Sequence, residues 1–429
     1  MRLWLYIGLS LILLCSCAKE VDPIIPSSGD IKQEGSYVNS RYLYHNRWTY
    51  SQMKEWYLWT DEIPDSTELD FTVDPLKFFE SLLSEKDRFS YMDMNPDYRG
   101  SRSLCDGLDY QMYKDASGSL IYRVLRVIDP SLRILWARGD WFVIRDGQPV
   151  RGEVIEGVFE EDRSCLRPLR RYSDSFVDTL YHINGKAVGY VLYDNFELYV
   201  TFARAVHSFR EKGGVDELIL DLRYNPGGYV DVCRKVSSLI VPRQYLGSLF
   251  QIHEHNDVKN QANAQKQGGG LGLDSLYFQA DVRTNEINLG LERLYVLTTK
   301  HTASASEALI HCLRPYMDVI TVGSVSCGKN VGGHTIESEG YRYTLHPITF
   351  RYMNAEGFLF SSEGIEPDIY AEDDLDHKLG DVNEGMLSAA LAHISGDDIP
   401  SDGLGRSRRR WNGFPVEYGK SSIELKNNL

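Results

Sequence analysis

The spacing of apolar side chains changes repeatedly along the chain, and each change marks a different kind of structure. Between residues 38 and 97, aromatic and aliphatic residues such as Trp48, Met53, Trp56, Phe78, Phe79 and Leu82 recur at helical intervals. This predicts a small helical subdomain with the aromatic stripe as its core. From Leu104 the period shortens to two: Leu108 to Tyr113, Ile121 to Ile128 and Gly139 to Val150 read as strands, the last interrupted by an Asp-Gly turn. Gly152 to Ser175 is charged and loosely patterned, as a long loop or edge hairpin would be. Strand character returns in Phe176 to Ile183 and Ala187 to Tyr193, joined by the hairpin turn Asn184-Gly185.

A helical pattern spans Phe196 to Arg210, and Glu217 to Leu222 is a buried strand that runs into Asn225-Pro226-Gly227-Gly228. The next helix places Val232, Val236, Leu239 and Ile240 on one face and stops at Pro242. Gln244 to Ile287 is polar and glycine-containing, and reads as an insertion or mobile flap. Leu294 to Leu297 is a strand, Ala308, Leu309, Cys312 and Leu313 repeat as a helix up to Pro315, and Val319 to Gly323 is a further strand. A hairpin is expected from Tyr341 to Tyr352 with its turn near Pro347, and a final helix from Asn383 to Ser395.

Composition narrows the class. With 429 residues and 42% hydrophobic residues the chain can bury the cores of several domains, and a net charge of −15 argues against nucleic-acid binding. The four arginines between Arg406 and Arg410 lie in a polar tail, 397–429. At the other end, Leu3 to Leu14 is apolar but too short to span a bilayer, which predicts an export signal over residues 1–16. The Leu14-Cys15-Ser16-Cys17 sequence that follows resembles a bacterial lipobox. Cys17 would carry the lipid, residues 17–37 would be a flexible tether, and the location would be the bacterial cell envelope, periplasmic or at the outer membrane surface. The remaining cysteines are odd in number and irregular in spacing, so no disulfide framework follows.

The chemistry concentrates in Thr298 to Lys329. Ser304 falls at a strand-to-helix junction, where free N–H groups and the positive end of the helix dipole face any negative charge developing beside it. Thr302 or Ser304 as N-cap with Glu307 also fits a capping box, a purely structural use of the same residues. Lys329 follows an apolar strand; a lysine carried into a dry site loses hydration, which favours its neutral form and makes it a candidate general base. The adjacent Gly227 and Gly228 can aim backbone N–H groups at an anion. His253 and His255 alternate as metal ligands on a strand would, but no third ligand has a recognisable spacing.

Taken together, DLRYNPGG, TASASE, the Gly-Lys-Asn after a strand and GIEPDI resemble the C-terminal processing peptidases, or tail-specific proteases. The resemblance covers roughly Phe176 to Ser395. It implies an α/β crotonase-like (ClpP/crotonase) serine-lysine protease core over 176–396, and less specifically a PDZ-like domain with a trailing loop over 98–175 and the helical subdomain over 38–97. Carried over residue by residue, it makes Ser304 the nucleophile, Lys329 the base, and Gly227 or Gly228 with Ala305 the oxyanion donors. Peptide or protein substrates are implied, and neither a metal nor an organic cofactor. One departure stands out: the family's glutamine four residues after the lysine is here Gly333, leaving His334 or Asn330 to orient Lys329 or the pair to work unaided. The glycine-rich carboxylate-binding loop of PDZ domains is poorly matched, the nearest candidate being Cys105 to Tyr110. A lipid-anchored peptide-binding protein with a weak protease domain is the alternative reading.

Overall fold

A computed structural model describes residues 37–93, 108–114, 120–127, 130–145, 148–151, 160–161, 177–338 and 343–397. Cys17, the tether, the candidate carboxylate loop before Leu108 and the polar tail lie outside these residues.

The centre of the molecule is a six-stranded sheet in which Ile369–Tyr370, Asp318–Gly323, Arg293–Thr298, Glu217–Asp221 and Lys186–Leu192 run parallel and Val177–Ile183 adds an antiparallel edge. Its inner strands are apolar at consecutive positions because both faces are covered. Leu218, Leu220, Leu294 and Val296 pack on one side against helices Tyr199–Glu211, Val230–Ile240 and Ala305–Leu313. Ile219, Tyr295, Leu297 and Val322 pack on the other, against helix Gly385–Ser395. The Asn184-Gly185 turn forms as expected, with φ of 48° and 80° at its two residues.

Two expectations fail for physical reasons. The segment from Gln244 to Ile287 is not a flap: Leu249–Glu254 pairs with Asp274–Tyr277 on one side and Ile348–Met353 on the other, at the middle of a four-stranded antiparallel sheet that Val331–Gly333 completes. Its polar look comes from Asp257–Gln267, an amphipathic surface helix between the two strands with no fully buried residue. Nor is there a hairpin about Pro347. Thr344–His346 pairs with Tyr91–Asp93 and Ile336–Glu337, whereas Ile348–Met353 belongs to the four-stranded sheet, so the chain changes sheets at a residue that cannot donate to a ladder.

The described residues before 94 include helices Tyr37–Trp56 and Pro75–Ser81, with Met53, Tyr57, Phe78, Phe79 and Leu82 buried between them. They are stitched to the rest through Ile348, whose N–H reaches Ser90 Oγ at 2.8 Å and whose carbonyl accepts the Leu58 N–H at 2.9 Å. Five antiparallel strands, in the spatial order Gln148–Arg151, Trp141–Arg145, Leu120–Val127, Leu108–Lys114 and Glu160–Glu161, form a separate small sheet. Arginines join it to the centre: Arg126 pairs with Asp109 at 2.6 Å and reaches Asp194 at 3.3 Å, and Arg138 reaches Asp373 at 2.5 Å and the His377 carbonyl at 3.1 Å. Beneath that contact lies fully buried Arg223. Its guanidinium meets Asp221 at 2.9 Å, Asp373 at 2.8 Å and Glu384, the N-cap of the last helix, at 2.7 Å. Burial opposes the charge of Asp373, but Arg223 and Arg138 outweigh it and hold the carboxyl down at about 2.

Candidate active site

Ser304 follows a loop pinned to the end of the Glu217–Asp221 strand. Thr302 Oγ1 donates to the Leu222 carbonyl at 2.9 Å, the Ala303 N–H to the Asn225 carbonyl at 3.1 Å, and Ser306 Oγ to that same carbonyl at 2.9 Å. The loop leaves Ser304 at φ 56°, ψ −115°, a region that disfavours a Cβ and costs on the order of 1–3 kcal/mol. The serine therefore stands at the N-cap of helix Ala305–Leu313 with its side chain fixed by the backbone rather than free to fold onto the helix. The carboxylate half of the capping box forms as well: Glu307 accepts the Ser304 N–H at 2.9 Å.

Glu307 does more than cap. The same oxygen that takes the Ser304 N–H takes the Lys329 N–H at 2.9 Å, and the other oxygen accepts the Gly328 N–H at 2.7 Å and the Ser326 hydroxyl at 2.5 Å. One buried carboxylate thus ties the serine loop to the lysine loop. Burial pushes its pKa up while these four donors hold it down, with a net rise. On the carbonyl side, the buried phenol of Tyr352 lies 3.1 Å from the Ser304 carbonyl oxygen and 2.9 Å from that of Lys329. Ser304 and Lys329 are therefore joined at both their N–H and their C=O groups through shared partners. Among the described residues no hydrogen bond links Ser304 Oγ to Lys329 Nζ. Catalytic contacts of this kind commonly close only when substrate binds.

Lys329 is partly buried. Burial lowers its pKa, against the opposing pull of Cys327, Asp87 and Glu307. Neither side chain expected to orient it does so: Asn330 donates to the Phe360 carbonyl at 2.9 Å and His334 bonds Thr349 Oγ1 at 2.7 Å. A glutamine could not replace Gly333 on this backbone, because a Cβ there would lie 2.2 Å from the Pro347 carbonyl oxygen.

The glycine pair divides. Gly227 N–H donates to Asn225 Oδ1 at 2.9 Å, and the residue must be glycine because a Cβ at its φ of 108° would sit 2.8 Å from Ser304 Cβ. Gly228 N–H and Ala305 N–H have no acceptor among the described residues, and Ala305 directly follows Ser304. Ser304 and Ala305 line a small cavity together with Val230, Cys233, Gln251, Ala308, Gly332, Phe350 and Tyr352.

His253 and His255 are occupied within the protein. His253 stacks on Phe350 with ring centroids 4.1 Å apart and lies 2.9 Å from Gln251 Oε1; His255 reaches Asp274 at 2.9 Å and the Thr349 carbonyl at 3.2 Å. Among the described residues no group of three or more His, Cys, Asp or Glu side chains is arranged to hold a metal. Sequence reasoning passed over Lys300, four residues before Ser304, whose pKa burial lowers to about 7.

The class of protein is given by two matches along the chain. The profile of Peptidase family S41 matches residues 187–371, and that of the Peptidase S41 N-terminal domain matches residues 44–91. The chain belongs to peptidase family S41. Among characterised relatives, the carboxy-terminal processing protease CtpB of Bacillus subtilis is 26% identical over 192 residues, which is 44% of this chain and 34% of that protein. The chain thus matches about a third of that relative's length. Among solved structures, a Bacteroides fragilis protein assigned to the S41 proteases superposes with a TM-score of 0.63 at 25% identity, over 81% of this chain and 97% of that one. The photosystem II D1 C-terminal processing protease shares the fold, with a TM-score of 0.51 at 15% identity over 83% and 99% of the two chains.

Proposed function

We propose that the protein is a serine endopeptidase in which Ser304 is the nucleophile and neutral Lys329 the general base. Lys329 Nζ takes the proton of the Ser304 hydroxyl as Oγ bonds to the substrate carbonyl carbon, and Gly228 N–H and Ala305 N–H receive the oxyanion. Collapse of the tetrahedral intermediate breaks the C–N bond, and the departing amine takes its proton from the Lys329 ammonium. Water, activated by the same lysine, then hydrolyses the acyl-enzyme. The observation that carries this reading is the double tie of Ser304 and Lys329 through Glu307 and Tyr352. The partial burial of Lys329, which lowers its pKa, supports it, since a base must be deprotonated to act.

The reading extends outward from the site. The parallel sheet is a crotonase-like core, and the five-stranded sheet is a PDZ-like module that takes substrate C-terminal segments by strand addition, which the C-terminal processing relatives support. Cys17 carries a lipid that tethers the enzyme in a bacterial envelope. A fluorophosphonate should label Ser304 in the parent protein. Ser304→Ala, Lys329→Ala and Lys329→Arg should each lose nearly all peptide turnover, the last because a guanidinium stays protonated. A folded Ser304→Ala protein that still cleaves peptides would remove the assignment. Cys17→Ala should move the protein to a soluble fraction, and a C-terminally amidated peptide should bind more weakly than its free acid; unchanged membrane association or equal affinity would overturn the corresponding part.

A further inference from the structure

Among the described residues no side chain hydrogen-bonds the Lys329 ammonium, and the backbone forbids a longer side chain at Gly333. What faces its ammonium comes from far away in the sequence. Phe89 places its ring centroid 5.2 Å from Lys329 Nζ, within the range of a cation–π contact. That ring is held from three sides. It packs beside Leu58, Val331 and Ile348, the middle one only two residues past the lysine. Its N–H donates to Asp87 Oδ1 at 2.8 Å, and Asp87 is itself fixed by the Tyr57 hydroxyl at 2.8 Å and the Ser90 N–H at 2.9 Å. The neighbouring Arg88 reaches over to the lysine loop, donating to the Gly328 carbonyl at 3.3 Å and the Ser362 carbonyl at 2.7 Å. The Asp87-Arg88-Phe89 corner therefore both braces the loop that carries the base and lays an apolar plane against the base itself.

We infer that Phe89 is a positioning residue for Lys329: its ring closes the lysine off from water and fixes the line along which Nζ meets Ser304, in place of an orienting side chain. This rests on Lys329 being the base. Two effects of the ring oppose each other. The cation–π contact favours the charged lysine, and exclusion of water favours the neutral one. Exclusion wins, because burial is the largest influence on Lys329 and its net effect is downward even though Asp87, Glu307 and Cys327 all pull upward. Arg88, the other charged group facing this ring, has its guanidinium carbon 5.0 Å from the Phe89 centroid.

The experiment compares Phe89→Ala, which admits water, with Phe89→Leu, which keeps an apolar cover without a π face. Two curves are read in the full-length chain: the acid limb of kcat/KM, and, in a Ser304→Ala background, the pH dependence of Lys329 acetylation by acetic anhydride measured by mass spectrometry. Phe89→Ala should move both curves to higher pH by about one unit, so that turnover on the acid limb falls about tenfold. Phe89→Leu should leave both within a few tenths. Should Phe89→Ala fail to fold, Phe89→Gln keeps the bulk while offering Nζ a polar neighbour, and the same upward shift is expected. An acetylation curve that stays put or moves downward in Phe89→Ala, or in Phe89→Gln where Ala does not fold, overturns the inference. Turnover that survives in Lys329→Ala overturns the base assignment instead, so the two failures are distinguishable.

Discussion

Glu307→Gln is the substitution that tests the site most directly, because it keeps size and shape while removing the charge and replacing one accepting oxygen by an NH2 donor. The carboxylate serves four donors, two on each oxygen. An amide must turn its NH2 towards one pair. If the NH2 faces Ser326 and Gly328, the Ser326 hydroxyl can rotate to accept, but the Gly328 N–H is left buried without a partner. Facing the other way, it orphans the N–H groups of both Ser304 and Lys329. The first arrangement costs less, one unsatisfied donor at about 1–3 kcal/mol, and the mutant will adopt it. Glu307→Ala strands all three N–H groups and opens a hole, and should lose several times as much. The chemical effect should exceed the loss of stability. With the tie between the loops loosened, Ser304 and Lys329 no longer keep a fixed spacing, and a displacement of about 1 Å is enough for a loss on the order of 10²-fold. Denaturant midpoints give the first quantity; the rate of fluorophosphonate labelling and peptide turnover give the second. A Glu307→Gln protein with the parent's midpoint and labelling rate would show that the carboxylate is not what holds the two loops together.

Three further outcomes follow from the same geometry. Because burial lowers the pKa of Lys329 below the ordinary lysine value, the folded state gives up that proton first as pH rises; between the folded and unfolded values it binds fewer protons, so this group makes stability increase with pH, and kcat/KM should rise with pH along an acid limb lying below 10.5. A limb at or above that value in a pH–rate profile would refute it. Lys300→Met should retain turnover and the parent's acid limb, since it is Lys329 that Glu307 and Tyr352 tie to Ser304; loss of the limb in this variant would make Lys300 the base. Ser304→Gly should be more stable than Ser304→Ala by about 1–2 kcal/mol in thermal or chemical denaturation, because glycine accepts φ 56° and alanine keeps the strained Cβ; equal stabilities would show that the backbone is relaxed there.

Much of the central sheet was legible because strands buried on both faces write themselves as unbroken apolar runs, as in Glu217 to Leu222, and because Asn184-Gly185 announces its turn. Ser304 and Lys329 were singled out through family motifs, and Glu307 through its capping spacing. What the sequence concealed were partnerships set by tertiary placement. No local pattern says that Glu307 also binds the lysine loop, that Tyr352 bridges the two carbonyls, or that Phe89 lies against a residue 240 positions later. The strand Leu249–Glu254 was hidden because Gln251 and His253, and His255 just past its end, are polar yet buried: the first two bond each other, and His255 reaches Asp274 on the neighbouring strand. The Tyr341 to Tyr352 hairpin misled for the opposite reason: two good strands flank Pro347, but their partners are elsewhere.

The arginine buried under the small sheet bears on how the molecule comes apart. Arg223 is shared by Asp221 at the end of a central strand, by Glu384 at the start of the last helix, and by Asp373, which also binds Arg138. Releasing the helix alone would cost the Arg223 guanidinium its two hydrogen bonds to Glu384 in a dry site, at about 1.5–3 kcal/mol for a hydrogen bond to a charged group. Partial openings that free the helix but keep the strand are therefore suppressed. Amides of Gly385–Ser395 and Glu217–Asp221, distant in sequence, should exchange with solvent in a single cooperative event rather than in sequence from the chain end.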